Sequence, residues 1–159
     1  MKLYLKQDGM SLRARFDVKD ENNINRFSIE GELLSGGKRL HIHDANGKVV
    51  AFIRQKIFSV LPLFIVEIDG REVCKIMREF TFGKLRYKLE GLPWKVQGDF
   101  MAHNYIVENN GKKIMSLSKK VFSFVDSYEL DIADPNDELI CLCVTLAVNC
   151  TLEDELLTR

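Results

Sequence analysis

The chain has 159 residues, and its 23 basic side chains balance 23 acidic ones, so the formal net charge is zero. A chain of this size buries a sizeable core as one domain, residues 1–159, without disulfide or metal staples. The even charge argues against a dedicated nucleic-acid binder, which ordinarily carries a basic excess.

In chain order, Met1-Lys2-Leu3-Tyr4-Leu5-Lys6-Gln7 contains no long apolar run and no cleavage site, so it does not read as a secretory signal. Everything from there to about Ile132 reads as short strands. Phe27, Ile29 and Leu33 alternate with Arg26, Ser28, Glu30 and Glu32, and Leu40 and Ile42 with His41 and His43. Further on, Leu85, Tyr87 and Leu89 alternate with Lys84, Arg86, Lys88 and Glu90. Trp94, Val96 and Phe100 alternate with Lys95, Gln97 and Asp99, and Tyr128, Leu130 and Ile132 with Glu129 and Asp131. Successive side chains of a strand point to opposite faces, so each strand has one buried and one wet face. Asn46-Gly47, Asp69-Gly70 and Asn110-Gly111 are hairpin signals. Asn22-Asn23, Gly36-Gly37 and Gly91-Leu92-Pro93 also break the pattern. The spacing predicts roughly twelve strands, as in a barrel or sandwich.

The sequence also echoes itself. Asn46-Gly47-Lys48 recurs as Asn110-Gly111-Lys112, and Lys56-Ile57-Phe58-Ser59 as Lys120-Val121-Phe122-Ser123. Met10-Ser11 ahead of Phe16 and Val18 matches Phe80-Thr81 ahead of Tyr87 and Leu89. Such repetition marks hairpin units that share one core.

At Asp134 the pattern changes. Asp134 suits an N-cap, Pro135 the first helical position, and the acids that follow suit the positive end of the helix dipole. The run from Leu139 to Cys150 is apolar except for Thr145 and Asn149. A helix apolar all round is buried or in a membrane, and this one falls short of the ~20 residues needed to span a bilayer. It is therefore expected inside a closed antiparallel β-barrel, over about Pro135 to Leu152. The class is mainly β, about twelve strands around a central hydrophobic C-terminal helix.

The segment Trp94-Lys95-Val96-Gln97-Gly98-Asp99-Phe100 resembles the W-x-V-x-G-D-F stretch of the LURP-one-related family. The repeated Lys-x-Phe-Ser segments resemble it too, as does Ser127-Tyr128-Glu129-Leu130-Asp131-Ile132 running into the terminal helix. The similarity covers nearly the whole chain and is nearest to the bacterial, YxjI-like branch. It implies twelve antiparallel strands around a hydrophobic helix, the fold of the tubby C-terminal domain and, by inference, of phospholipid scramblases. Tubby domains bind phosphoinositide head groups and scramblases act on lipids, so a lipid-facing role is what the resemblance implies. The chain departs from the scramblases in its short helix followed by Glu153, Asp154 and Glu155. It also has no Cys-rich palmitoylation stretch and no acidic calcium loop.

No catalytic, cofactor or metal motif stands out. His41 and His43 share an outward face, but no third ligand lies nearby in sequence, which favours solvated surface. Cys74, Cys141, Cys143 and Cys150 form no CxxC pair and read as buried free thiols of a cytoplasmic protein. Trp94 reads as core, and Asp17, Asp20, Asp131 and Asp134 as turn and capping residues. The basic residues are the candidates for binding: Arg13 with Arg15, Arg54 with Lys56, Lys119 with Lys120, and above all Lys84, Arg86 and Lys88 on one wet face. Clustered cations hold phosphate or anionic lipid heads, although exposed lysines also serve to keep strand edges soluble. The expected function is a non-catalytic binding or scaffold module for an anionic phospholipid head group or a protein partner. The expected place is the cytoplasm or the membrane periphery. The alternative is an enzyme or scramblase-like protein acting on lipid or another small molecule.

Overall fold

In a computed structural model, which describes residues 1–6, 15–34, 37–122 and 125–157, the alternating segments become twelve antiparallel strands. They are β1 (Lys2–Lys6), β2 (Phe16–Asp20), β3 (Asn25–Leu34), β4 (Gly37–Asp44), β5 (Val49–Gln55) and β6 (Leu63–Ile68). The second half holds β7 (Arg71–Thr81), β8 (Lys84–Glu90), β9 (Lys95–Asp99), β10 (Asn104–Asn109), β11 (Lys112–Phe122) and β12 (Val125–Ile132). A single turn of 3-10 helix, Pro135–Asp137, leads into α1, Glu138–Leu157. Met10-Ser11, Arg13, Gly36 and Ser123 lie outside the described residues, as do the side chains of Leu33, Val121, Phe122, Glu153, Asp154 and Glu155.

Each strand except β8 pairs with the next in sequence, and β1 pairs with β12 as well as β2, so the sheet curls into a nearly closed barrel. Ile29, Ile42, Tyr87, Leu89 and Leu130 are buried as the alternation marks them, and Leu3, Ile53, Ile76 and Leu117 join them inside. α1 fills the interior. Every side chain from Cys141 to Leu152 is at most 4% exposed, so strands surround the helix on all sides. Each large aliphatic buried there contributes about 1.5–3 kcal/mol. Asp134 caps as expected, its Oδ1 accepting the Asn136 N–H at 3.0 Å. The helix runs on to Leu157, five residues past the expected Leu152.

The polar groups of the plug are satisfied locally. Thr145 Oγ1 donates to the Cys141 carbonyl at 2.9 Å and Thr151 Oγ1 to that of Val148 at 2.7 Å. From the wall, Lys38 Nζ donates to the Cys150 carbonyl at 3.2 Å and Arg78 Nη1 to that of Thr151 at 2.7 Å. These cations meet carbonyls in the C-terminal half of the helix, about two turns before its end at Leu157. They also fix the direction of α1. It enters where β12 ends, the near end of the barrel. It emerges at the far end, where β3 meets β4, β5 meets β6, β7 meets β8 and β9 meets β10.

The hairpin at Asp69-Gly70 has φ of 50° and 76° and that at Asn110-Gly111 has 50° and 79°, as a type I′ turn requires. Asn46-Gly47 differs. Only Gly47 has positive φ, at 83°, within a longer loop. There the Asp44 carboxylate accepts the Asn46 and Lys48 N–H groups at 2.9 and 3.0 Å, making an Asx-type turn in place of the two-residue one. A further turn at Phe82-Gly83, with φ of 52° and 73°, has no conventional turn residue at its first position.

Candidate functional site

Among the described residues the ring of hydrogen bonds is broken at one place. β8 and β9 stand at opposite ends of the strand order, neighbours in sequence and in space but without a ladder between them. This seam is closed by side chains instead. The Tyr87 and Phe100 rings meet edge-to-face with centroids 4.8 Å apart, and Phe100 lies 5.5 Å from Tyr105. Tyr87 continues inward, its hydroxyl hydrogen-bonded to Thr151 Oγ1 at 2.5 Å, so β8 is tied directly to the plug.

Outside that aromatic bridge lies an open cleft of about 730 Å³. The pleat of β8 turns Tyr87 and Leu89 inward and leaves Lys84, Arg86 and Lys88 exposed, as the alternation predicts. All three line the cleft, with Trp94, Lys95 and Gln97 opposite. Glu79 lines it too, across the ladder from Arg86. Lys88 is 3.9 Å from Glu90, while Lys84 and Arg86 have no ion-pair partner among the described residues. The cleft thus joins cations to an apolar back wall and two strand edges with unpaired backbone groups.

Sequence reasoning found the cations of β8 but not the cleft. Lys95 was not singled out, and Trp94, expected as core, is partly buried and packed against the core while also lining the cleft. Pro93, which has no N–H, and Gly98, inside a five-residue strand, are weak ladder formers and were the available signal.

The other candidates fall elsewhere. His41 and His43 face outward, and β3 carboxylates flank them. His43 Nε2 is 3.5 Å from Glu30 and His41 Nε2 4.0 Å from Glu32, while the His41 ring packs on Phe52 at 4.8 Å. They are half-buried cross-strand pairs and not freely solvated, because neighbouring outward side chains of a sheet lie within reach of each other. His103 packs on the Tyr128 ring at 4.8 Å, and burial, then Lys119, lowers its pKa. Among the described residues no three His, Cys, Asp or Glu side chains come together as a metal site. All four cysteines are buried and free, and burial pushes the Cys74 and Cys141 thiols up to about 12. Asp20 accepts the N–H groups of Asn22 and Ile24, and Asp17 the hydroxyl of Ser28, which are turn and packing roles. Arg15, Lys56 and Lys119 are exposed, Arg54 lies 4.0 Å from Glu67, and Lys120 lies 3.9 Å from Glu129. No helix among the described residues is long and apolar enough to cross a membrane.

Comparison with known proteins agrees with this architecture. A protein of Bacillus subtilis (strain 168), named "Uncharacterized protein YxjI", is 34% identical over 158 residues, covering 98% of each chain. The X-ray structure of an Arabidopsis thaliana protein shares the fold with a TM-score of 0.61 at 14% identity, over 92% of this chain and 89% of that one. That neighbour has a tubby-like barrel. The profile of the LURP-one-related family matches residues 1–149, and with a full-length relative at this identity the chain belongs to the LURP-one-related family.

Proposed function

We propose that residues 1–159 act as one non-catalytic binding module of the cytoplasm, peripheral to the membrane, that holds a phosphate-bearing anion in the β8–β9 cleft. A phospholipid head group is the ligand whose chemistry fits best. The observation that supports this is the row Lys84, Arg86 and Lys88, joined by Lys95, on the one stretch of barrel wall among the described residues without a backbone ladder. Cations at that spacing set up a local positive potential despite zero net charge, and guanidinium and ammonium groups are natural phosphate donors. Trp94 lines the cleft beside them, so its fluorescence reports on a head group held there. The enzyme alternative is weaker, because the cleft lining has no histidine, cysteine or serine to form a nucleophile–base pair. The unpaired edges of β8 and β9 favour one second reading, an acidic peptide added as an extra strand.

The test is binding of a soluble glycerophospho head group and of anionic or neutral vesicles, read by fluorescence of Trp94, the single tryptophan. Each cation is worth about 1 kcal/mol near an anionic surface. The triple variant Lys84→Glu, Arg86→Glu, Lys88→Glu is expected to lose most binding. Wild-type binding is expected to weaken steeply as salt shortens the Debye length towards ~3 Å at 1 M. Equal binding by the folded triple variant refutes the cleft.

A further inference from the structure

The exposed large apolar side chains are not scattered. All of them among the described residues except Ile24 and Val49 lie at the far end of the barrel. They belong to three neighbouring connections. The β5–β6 loop carries Phe58 and Val60, the β7–β8 hairpin Phe80 and Phe82, and the β9–β10 turn Met101. Arg78 N–H donates to the Pro62 carbonyl at 3.0 Å, which ties the first loop to β7. Lys84 and Met101 line one hollow, which places the third beside the hairpin across the seam. The three tips therefore form a continuous arc of rim, and the cleft opens within it.

Two features separate this arc from ordinary surface apolarity. Phe58 and Val60 are fully exposed and Phe82 is 94% exposed, so these side chains project without packing on anything. Phe58 and Phe82 also have φ of 63° and 52°. Positive φ is where Gly, Asn or Asp ordinarily sits, and a bulky residue is strained there. The sequence holds an aromatic ring at positions whose backbone argues against it. Cations follow directly, with Lys56 two residues before Phe58 and Lys84 two after Phe82, both exposed.

We infer that the far end docks on an anionic bilayer, with Phe58, Val60 and Phe82 inserted at the boundary of head groups and acyl chains and Lys56 and Lys84 at head-group level. Separate projecting tips meet a flat fluid surface together, whereas the core of a protein interface is built from packed, enclosed side chains. Aromatic tips backed by cations are the side-chain pattern of a membrane–water interface. The C-terminal part of α1 points to the same end. The inference deepens the cleft reading, on which it rests for the chemistry of the partner.

The experiment uses vesicles of phosphatidylcholine with phosphatidylserine, some with acyl chains brominated near the head group. In wild type the only tryptophan is Trp94, at the opposite end of β9 from Met101. It is expected to escape quenching, whereas a Phe82→Trp variant is quenched. The double variant Phe58→Ser, Phe82→Ser is expected to bind at least about tenfold more weakly, through lost apolar burial. An unquenched Phe82→Trp on bound vesicles overturns the inference, as does a double variant that binds like wild type. So does vesicle-independent dimerisation that the double variant abolishes, which assigns the arc to contact between copies. The Arg86→Glu, Lys88→Glu variant separates the two readings. Quenching that survives it sinks the cleft and keeps insertion. Lost binding in it, with an unquenched Phe82→Trp, does the reverse. Wild type that ignores the vesicles but binds the soluble head group overturns insertion and keeps the cleft, and wild type that binds neither overturns both.

Discussion

The barrel is closed twice, by different means. At β1 and β12 the closure is backbone: Lys2 to Lys6 pair with Asp131 to Ser127. The ladder ends where the Ile132 N–H donates to the Met1 carbonyl at 2.8 Å and the Met1 nitrogen to that of Ile132 at 2.9 Å. Leu3 and Leu5 are fully buried beneath it. Above it Glu129 accepts from Tyr4 at 3.1 Å and lies 3.3 Å from Lys2, raising the pKa of Lys2 first through that side-chain contact. At β8 and β9 the closure is three aromatic rings and one hydroxyl, with no ladder. A backbone ladder is made with every residue in register and opens only as a unit, whereas an aromatic bridge leaves the neighbouring N–H and C=O groups free. The weaker closure is the one that carries the cations.

The comparison supposes that the plug supports both closures, and the largest effect tests that. Leu146→Asp places an unpaired charge in the fully buried helix, which costs several kcal/mol. That is comparable with a total stability of about 5–15 kcal/mol. Insoluble or unfolded protein is expected by circular dichroism, and a folded monomer with near-normal melting refutes the enclosure. Next comes the contrast itself. Leu3→Ala, under the ladder, is expected to lower stability by about 2–5 kcal/mol. Tyr87→Phe, which removes the hydroxyl contact with Thr151, is expected to lower it by about 1 kcal/mol. In hydrogen exchange, Tyr87→Phe should speed the amides of β8 and leave β1 unchanged. Equal acceleration of both strands would erase the distinction.

The smallest effect near neutral pH is alkaline. Cys74 and Cys141, held up at about 12 by burial, keep protons that unfolded thiols release above their ordinary 9.0. Their contribution is complete below that ordinary value and is lost as pH rises towards 12. The urea midpoint should fall above pH 9.0. Alkylation should reach Cys74, on β7 next to the seam, before Cys141 in the plug. Simultaneous modification would mean that the seam opens only with the whole barrel.

Much of this was legible because the signals are periodic. Lys84 to Glu90 alternate with period two, and the run after Leu139 is apolar on every side, so faces and plug follow from side chains alone. The seam was not legible, because it is an absence of backbone bonds between segments whose alternation looks alike on either side of Gly91. Gly98 shows the limit well. Its φ is 143°, and an added Cβ would lie 2.5 Å from the Asn104 oxygen, so it is spent on close packing against β10 and not on a turn. The Asn46 turn went another way because the Asp44 carboxylate competed for the loop N–H groups. The apolar rim was hidden for a topological reason: Phe58 and Phe82 belong to alternate connections, and only a meander puts alternate connections at one end.

The pairing of β1 with β12 also has a consequence in time. Met1 and Ile132 bond across 131 positions of sequence, so β1 waits for β12, the last of the twelve strands to be made. Until then β1 to β8 and β9 to β11 can zip only within themselves, as two open sheets whose apolar faces have no plug. α1 emerges later still, so the surface that most needs covering is covered last. High contact order of this kind slows folding, and an unplugged sheet is aggregation-prone while it waits. The growing chain therefore depends on whatever shields a half-made barrel during synthesis, a dependence that the finished molecule no longer displays.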